Sequence, residues 1–158
     1  MTLTPVSEVR PCRAAEIFDD PASEGLFAEY RAECVNPVVG PALAPDKKMY
    51  ESLEQIGVGY CFGAYREGVL CGFALVVAGK LPGYAEPHAR VERLFVSVAA
   101  RGSRLGVHLM AAVEDCARAL GCDGITYSAP AGGQLANLLY LRPDRYVCTN
   151  HIFCRNLR

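Results

Sequence analysis

The sequence predicts a single α+β domain, and three observations carry that prediction. Apolar residues in the first third recur at helical spacing, whereas the middle is rich in β-formers arranged as a hairpin. At residues 96–110 an apolar strand passes through a short turn directly into a helix. Around residues 90–128 this makes a strand–helix–strand crossover of the kind that joins parallel strands.

The elements follow in order. AEIF (15–18) and EGLFAEYRAEC (24–34) place Leu26, Phe27, Tyr30 and Cys34 at helical spacing. VNPVVGPALAPD (35–46) carries three prolines and a glycine, which forbids regular structure. Asp46 reads as the cap of a short helix, KKMYESLEQIG, stopped by Gly57. VGYCFGAY (58–65) and VLCGFALVVAG (69–79) are strands joined by Arg66-Glu67-Gly68, a hairpin signal. ARVERLFVSV (89–98) is a third strand, and a helix follows from about residue 104 to residue 120. Leu105, Leu109, Val113, Cys116 and Leu120 share one face of that helix, and Gly121 closes it. GITYSA (124–129) is a buried strand, GGQLANLLYL (132–141) a short helix ended by Pro143, and YVCTNHIFC (146–154) a last strand.

Composition narrows the function classes. At 158 residues the chain is long enough for one sizeable core. Its 51% apolar and 21% charged residues are ordinary for a globular domain. A net charge of −1 gives the chain as a whole no pull toward nucleic acid or acidic membranes. The longest apolar runs, such as GFALVVAG (72–79), fall far short of the roughly 20 residues that span a bilayer. MTLTPVSEVR has no basic-then-apolar signal pattern, so a cytoplasmic protein is expected. None of the eight cysteines forms C-x-x-C, and the three histidines are scattered, so no metal site is expected. Several cysteines fall in apolar segments and read as small reduced core residues.

The strand–turn–helix VSVAARGSRLGVHLM carries the chemistry. A helix N-terminus exposes unpaired N–H groups and a partial positive charge, and glycines let backbone approach an anion closely. By itself this describes an anion cradle or a tight connection equally well. LFVSVAARGSRLGVHLM, however, resembles the acyl-CoA-binding motif of the GNAT superfamily of N-acyltransferases. Arg101 fills the first position of the family's [Arg/Gln]-x-x-Gly-x-[Gly/Ala] and Gly106 the last, with Val96 as the strand valine. YCFGAYREGVLCGFALVVAG resembles the preceding hairpin, GITYSAP the next strand, and LANLLYLRPDRY the helix and strand after it, so residues 58–157 are covered.

The resemblance implies a GNAT fold: a central mixed, mostly antiparallel sheet flanked by helices, with residues 1–57 as a helical substrate-side segment and 58–158 as the sheet and CoA-binding part. It implies acetyl-CoA or another acyl-CoA as donor. The N–H groups around Gly102, Ser103, Arg104, Leu105, Gly106 and Val107, with Arg101 beside them, would hold its pyrophosphate. The backbone of Phe95, Val96 and Val98 would run along the pantetheine arm, and Asn137 would touch it. Two positions depart from the pattern. Arg104 replaces the central glycine, and Tyr140-Leu-Arg-Pro-Asp-Arg-Tyr146 is one residue longer than usual and lacks its glycine.

Amine acylation by a thioester needs a base for the incoming ammonium and an acid for the departing thiolate. Glu92 alternates with Leu94, Val96 and Val98, which puts a carboxylate on a face with apolar residues, and many family members keep a Glu on this strand. It reads either as the base or as a salt-bridge partner of Arg90 or Arg93; water, Glu33 or Glu51 are the other bases. Tyr140 matches the family tyrosine whose hydroxyl points at the CoA sulfur, with Tyr127 a weaker substitute. His108, in the first turn of the long helix, is expected at the surface.

The loops VNPVVGPALAPDKKMYE and KLPGYAEPH are placed to frame an acceptor pocket. Their acids and aromatics (Asp46, Glu51, Glu86, Tyr50, Tyr84), with Glu33, would tolerate a cationic amine without naming it. The expected activity is transfer of acetyl from acetyl-CoA to a primary amine in a ternary complex. The alternative is a non-catalytic acyl-CoA-binding or interaction module that keeps the fold. The terminal strand YVCTNHIFC could pair across a homodimer.

Overall fold

The computed structural model describes residues 6–41 and 45–157 of the chain. Strand β1 (Ser7–Cys12) precedes helices α1 (Ala14–Phe18) and α2 (Ser23–Glu33). A short ladder joins β2 (Val35–Asn36) to β3 (Gly40–Pro41), and helix α3 (Lys47–Gln55) follows. Strands β4 (Gly59–Arg66), β5 (Val69–Gly79) and β6 (His88–Val96) come next, then helix α4 (Leu105–Ala119), strand β7 (Gly124–Tyr127) and helix α5 (Gln134–Tyr140). The sheet runs β1-β4-β5-β6-β7, antiparallel throughout except for the parallel β6–β7 pair.

Local chemistry accounts for most boundaries. The Asp46 side chain accepts the N–H groups of Lys48 and Met49, which caps α3 as its sequence foretells. Glu67 and Gly68 both adopt positive φ, 53° and 79°, as a two-residue hairpin turn of the right twist requires. One sheet face packs on α4 through Val76, Val91, Val96, Leu105, Leu109 and Val113. The other packs on α1, α2 and α3 through Ile17, Phe27, Tyr30, Tyr50, Phe73 and Phe95. The sheet therefore lies between two helical layers and buries apolar side chains on both faces. Among the described residues, no helix is long and apolar enough to cross a membrane.

Three sequence expectations are corrected. Ser7–Cys12 is a strand that the helical reading of the N-terminal third omits. It is an edge strand, half polar and carrying Pro11, so it shows little periodicity and owes its form to pairing with β4. The proline-rich stretch after α2 is not wholly irregular. Asn36 Oδ1 accepts the N–H groups of Val38 and Val39 at 2.8 and 3.1 Å, and Gly40 turns with φ 95° to bring β3 back on β2. Residues 42–44 of that stretch lie outside the described residues. Finally, YVCTNHIFC forms no strand, and Ile152 and Phe153 are 88% and 93% exposed. Its residues favour β structure, but a strand exists only when a neighbour supplies the ladder. The dimer pairing expected from it has no strand to rest on within the single chain.

Candidate functional site

The sheet splits at its parallel edge. β6 and β7 pair only from His88–Gly124 to Val91–Tyr127, whereas β6 continues to Val96. Pro130 lacks an N–H and biases the preceding residue, so the chain leaves the ladder after β7. Residues 92–96 of β6 are thus left without a strand on that side.

A β-bulge sits where the split begins. Leu75 pairs with Arg93 and Val76 with Val91, which leaves Glu92 as the extra residue. The bulge resets the alternation along β6. Val91, Leu94 and Val96 pack toward α4, while Phe95 packs toward α2. The expectation that Glu92 shares a face with Leu94, Val96 and Val98 is therefore corrected. Its carboxylate reaches Arg90, two residues back, at 3.8 Å, and its charge bears on the phenol of Tyr50 on α3. A bulge breaks the period-two rule, and nothing in ARVERLFVSV announces it.

Beyond β6 the chain makes a 3₁₀ turn, Val98–Ala100, and then opens α4. The first bond into the helix runs from His108 N–H to Arg104 C=O at 3.0 Å. The N–H groups of Leu105, Gly106 and Val107 hence have no acceptor within the helix. Gly102 adopts φ 86°, and the Ser103 hydroxyl closes the turn on the Ala100 carbonyl. A Cβ on Gly106 would meet only Val96 Cγ2 at 3.8 Å, so the protein's own packing does not demand glycine there. Its bare backbone is free to face an anion. Arg104 takes φ 64°, the left-handed conformation that a glycine would adopt without strain, and its side chain is exposed. The departure from the family pattern is absorbed as backbone strain at an exposed residue.

Helix α2 grips this turn with two carboxylates one helical turn apart. Glu29 accepts the Ser97 hydroxyl at 2.9 Å and the Val98 N–H at 3.0 Å. Glu33 takes the guanidinium of Arg101, which also donates from Nε to the Val96 carbonyl at 3.1 Å and lies over the Phe95 ring. Arg101 and the Val98 N–H, both expected to serve an acyl donor, are engaged by the protein itself. Sequence reasoning missed Glu29; its only signal was the i, i+4 pair of acids on α2.

Asn137 and Tyr140 are exposed and one turn apart on α5. The Tyr140 phenol is raised above its ordinary value, chiefly by the neighbouring Cys148 thiol. Tyr127 has a different part. Its hydroxyl donates to Glu114 at 2.9 Å, and burial followed by that carboxylate pushes its phenol far up. The Tyr146 hydroxyl donates to the same carboxylate at 2.6 Å. The longer segment after α5 is used here: Tyr146 N–H bonds back to the Arg142 carbonyl at 2.9 Å, and the turn returns Tyr146 to α4. His108 is exposed as expected, and Glu51 pairs with Lys47 at 3.6 Å. The eight cysteines are free thiols; Cys61 is buried, but Cys148 and Cys154 are exposed rather than core residues.

A mixed sheet split at a parallel pair, followed by a glycine turn that opens a helix, defines the N-acyltransferase class of fold. The chain belongs to the acetyltransferase (GNAT) family, whose sequence pattern matches residues 14–140. Among solved structures, it is similar to the ribosomal-protein-alanine N-acetyltransferase of Brucella melitensis biovar Abortus 2308, at 16% identity and TM-score 0.67, over 94% of this chain and 96% of that one. The aminoglycoside acetyltransferase meta-AAC0020 from an uncultured soil metagenomic sample, in complex with sisomicin, is 17% identical with TM-score 0.67, over 96% and 97%. Aminoglycoside N-acetyltransferase AAC(6')-Iy in complex with CoA is 16% identical with TM-score 0.68, over 100% and 99%. At these identities the similarity shows the fold. No curated protein matches the sequence.

Proposed function

We propose that the protein transfers an acetyl group from acetyl-CoA to a primary amine by direct attack in a ternary complex. The observation that carries this reading is the edge of β6 beyond its pairing with β7, leading into a glycine turn whose helix N–H groups have no acceptor among the described residues. The family match and structural relatives named as N-acetyltransferases support it.

The residues present fit an acyl-CoA. Backbone N–H groups of Leu105, Gly106 and Val107, with Gly102 and Ser103, offer donors to pyrophosphate oxygens, and the exposed Arg104 guanidinium stands beside them. Phe95 and Val96 offer their backbone along the arm, and Asn137 faces it from α5. On the acceptor side, Glu92 takes the ammonium proton, directly or through water, and leaves a neutral amine to attack the thioester carbonyl. As the new C–N bond forms and the C–S bond breaks, Tyr140 delivers its proton to the departing thiolate, and the proton shed by the acylated nitrogen returns through water to the tyrosinate. A phenol, with an ordinary value of about 10, holds that proton at neutral pH.

Calorimetric titration with acetyl-CoA tests the reading, with binding in the micromolar range expected. No heat at high-micromolar ligand would overturn it. Binding without thiol release from any amine would instead favour a non-catalytic acyl-CoA-binding module.

A further inference from the structure

Arg93, on β6, combines partial burial with a guanidinium nitrogen that has no hydrogen-bond partner. It follows the bulge residue and lies opposite Leu75, on the face covered by α2 and α3. Its Nη1 donates to the Glu92 carbonyl at 2.6 Å, but its buried Nε has no hydrogen-bond partner. Arg10, Arg90, Arg101 and Arg118 have carboxylates within 4 Å; among the described residues Arg93 has none, as is also true of Arg66 and Arg104, but Arg93 alone leaves a buried nitrogen unpartnered. Its charge bears on the phenols of Tyr30 and Tyr50 and on the thiol of Cys34, with the Tyr30 hydroxyl a hydrogen-bond partner and the Glu92 carboxylate also acting on Tyr50. Both tyrosines are buried, and Arg93 itself is half-buried.

A half-buried guanidinium without a counter-ion has lost hydration and gained no ion pair in return. Its planar fork matches an oxyanion, and an arriving oxyanion would supply the missing charge. The neighbouring residue is Glu92, the proposed base. We infer that the acceptor amine carries an oxyanion, a carboxylate or a phosphate, and that Arg93 binds it on the α2–α3 side of the bulge. This rests on the acetyl-transfer reading and sharpens it. A fixed cation beside the base selects zwitterionic amines of the amino-acid kind and disfavours polycationic ones.

Thiol release from acetyl-CoA is compared within matched pairs: glycine and glycinamide, L-amino acids and their C-terminal amides, O-phosphoethanolamine and ethanolamine. The anionic member of at least one pair is expected to be favoured about 10- to 100-fold in kcat/KM, the range of a charge-assisted hydrogen bond. Arg93→Gln should collapse that ratio, and Arg93→Lys should restore part of it. An independent readout uses the wild-type chain. The Arg93 Nε–Hε resonance, assigned by its loss in Arg93→Lys, should shift on titration with glycine or O-phosphoethanolamine but not with glycinamide or ethanolamine. Preference for the neutral amines with an unmoved resonance would overturn the inference and leave acetyl transfer standing. A shift without any thiol release would remove acetyl transfer and keep the anion site. Neither release nor shift would remove both.

Discussion

Glu29 holds Val98 by its backbone N–H at 3.0 Å, across 69 residues of sequence. With Glu33 on Arg101, this joins helix α2 to the turn that opens α4. The shape of the helix-opening turn therefore depends on a helix from the other half of the chain. Glu29→Ala removes two hydrogen bonds to a half-buried carboxylate and should cost about 1–3 kcal/mol by urea denaturation. It should also weaken acetyl-CoA binding, measured by calorimetry. Full stability with unaltered affinity would show that the clamp is idle.

Arg104 occupies a left-handed conformation at φ 64°. Arg104→Gly relieves that strain and should raise stability by about 1 kcal/mol, offset in part by the greater freedom of glycine in the unfolded chain. Acetyl-CoA affinity should hold or improve. A large loss of affinity would mean that the guanidinium clamps phosphate in place of a glycine's backbone.

Tyr140 is the proposed acid. Tyr140→Phe should lower kcat by about 100-fold, the lower end of what a positioned acid contributes. The change in acetyl-CoA affinity should be much smaller. An unaltered kcat would take the proton-delivery role away from Tyr140.

Tyr146 and Tyr127 share Glu114, and the sign of their effect on stability follows from burial and that carboxylate. Tyr146 is pushed up to about 12, so the folded state keeps a proton that the unfolded chain releases near the ordinary tyrosine value of about 10. Its contribution is whole below pH ~10 and is lost as pH rises toward 12. Urea midpoints should fall along this alkaline limb. In Tyr146→Phe the fall should be shallower, with a lower midpoint at pH 8 because the hydrogen bond to Glu114 is gone. An equally steep limb would assign the alkaline loss to other groups.

Much of the fold was legible because its signals are local. The Asp46 cap, the Glu67-Gly68 turn and the apolar stripe of α4 each lie within one element and obey steric or periodic rules. The glycine turn was legible for the same reason, since its donors belong to consecutive residues. The tail at 146–154 misled because β-propensity was read without a partner, and β1 was missed because pairing alone makes it a strand.

By itself, then, the sequence determined the run of elements from α3 to α5, the helix-opening turn and the family to which these belong. Only the tertiary structure decided which way the side chains of β6 face, because one unpaired residue at Glu92 reverses the alternation. Only it showed Arg101 and Val98 held by α2, Tyr146 joining Tyr127 on Glu114, and the buried Arg93 Nε with no hydrogen-bond partner among the described residues. Each of these rests on groups brought together across the fold, by contacts that have no period or turn residue to mark them in the chain.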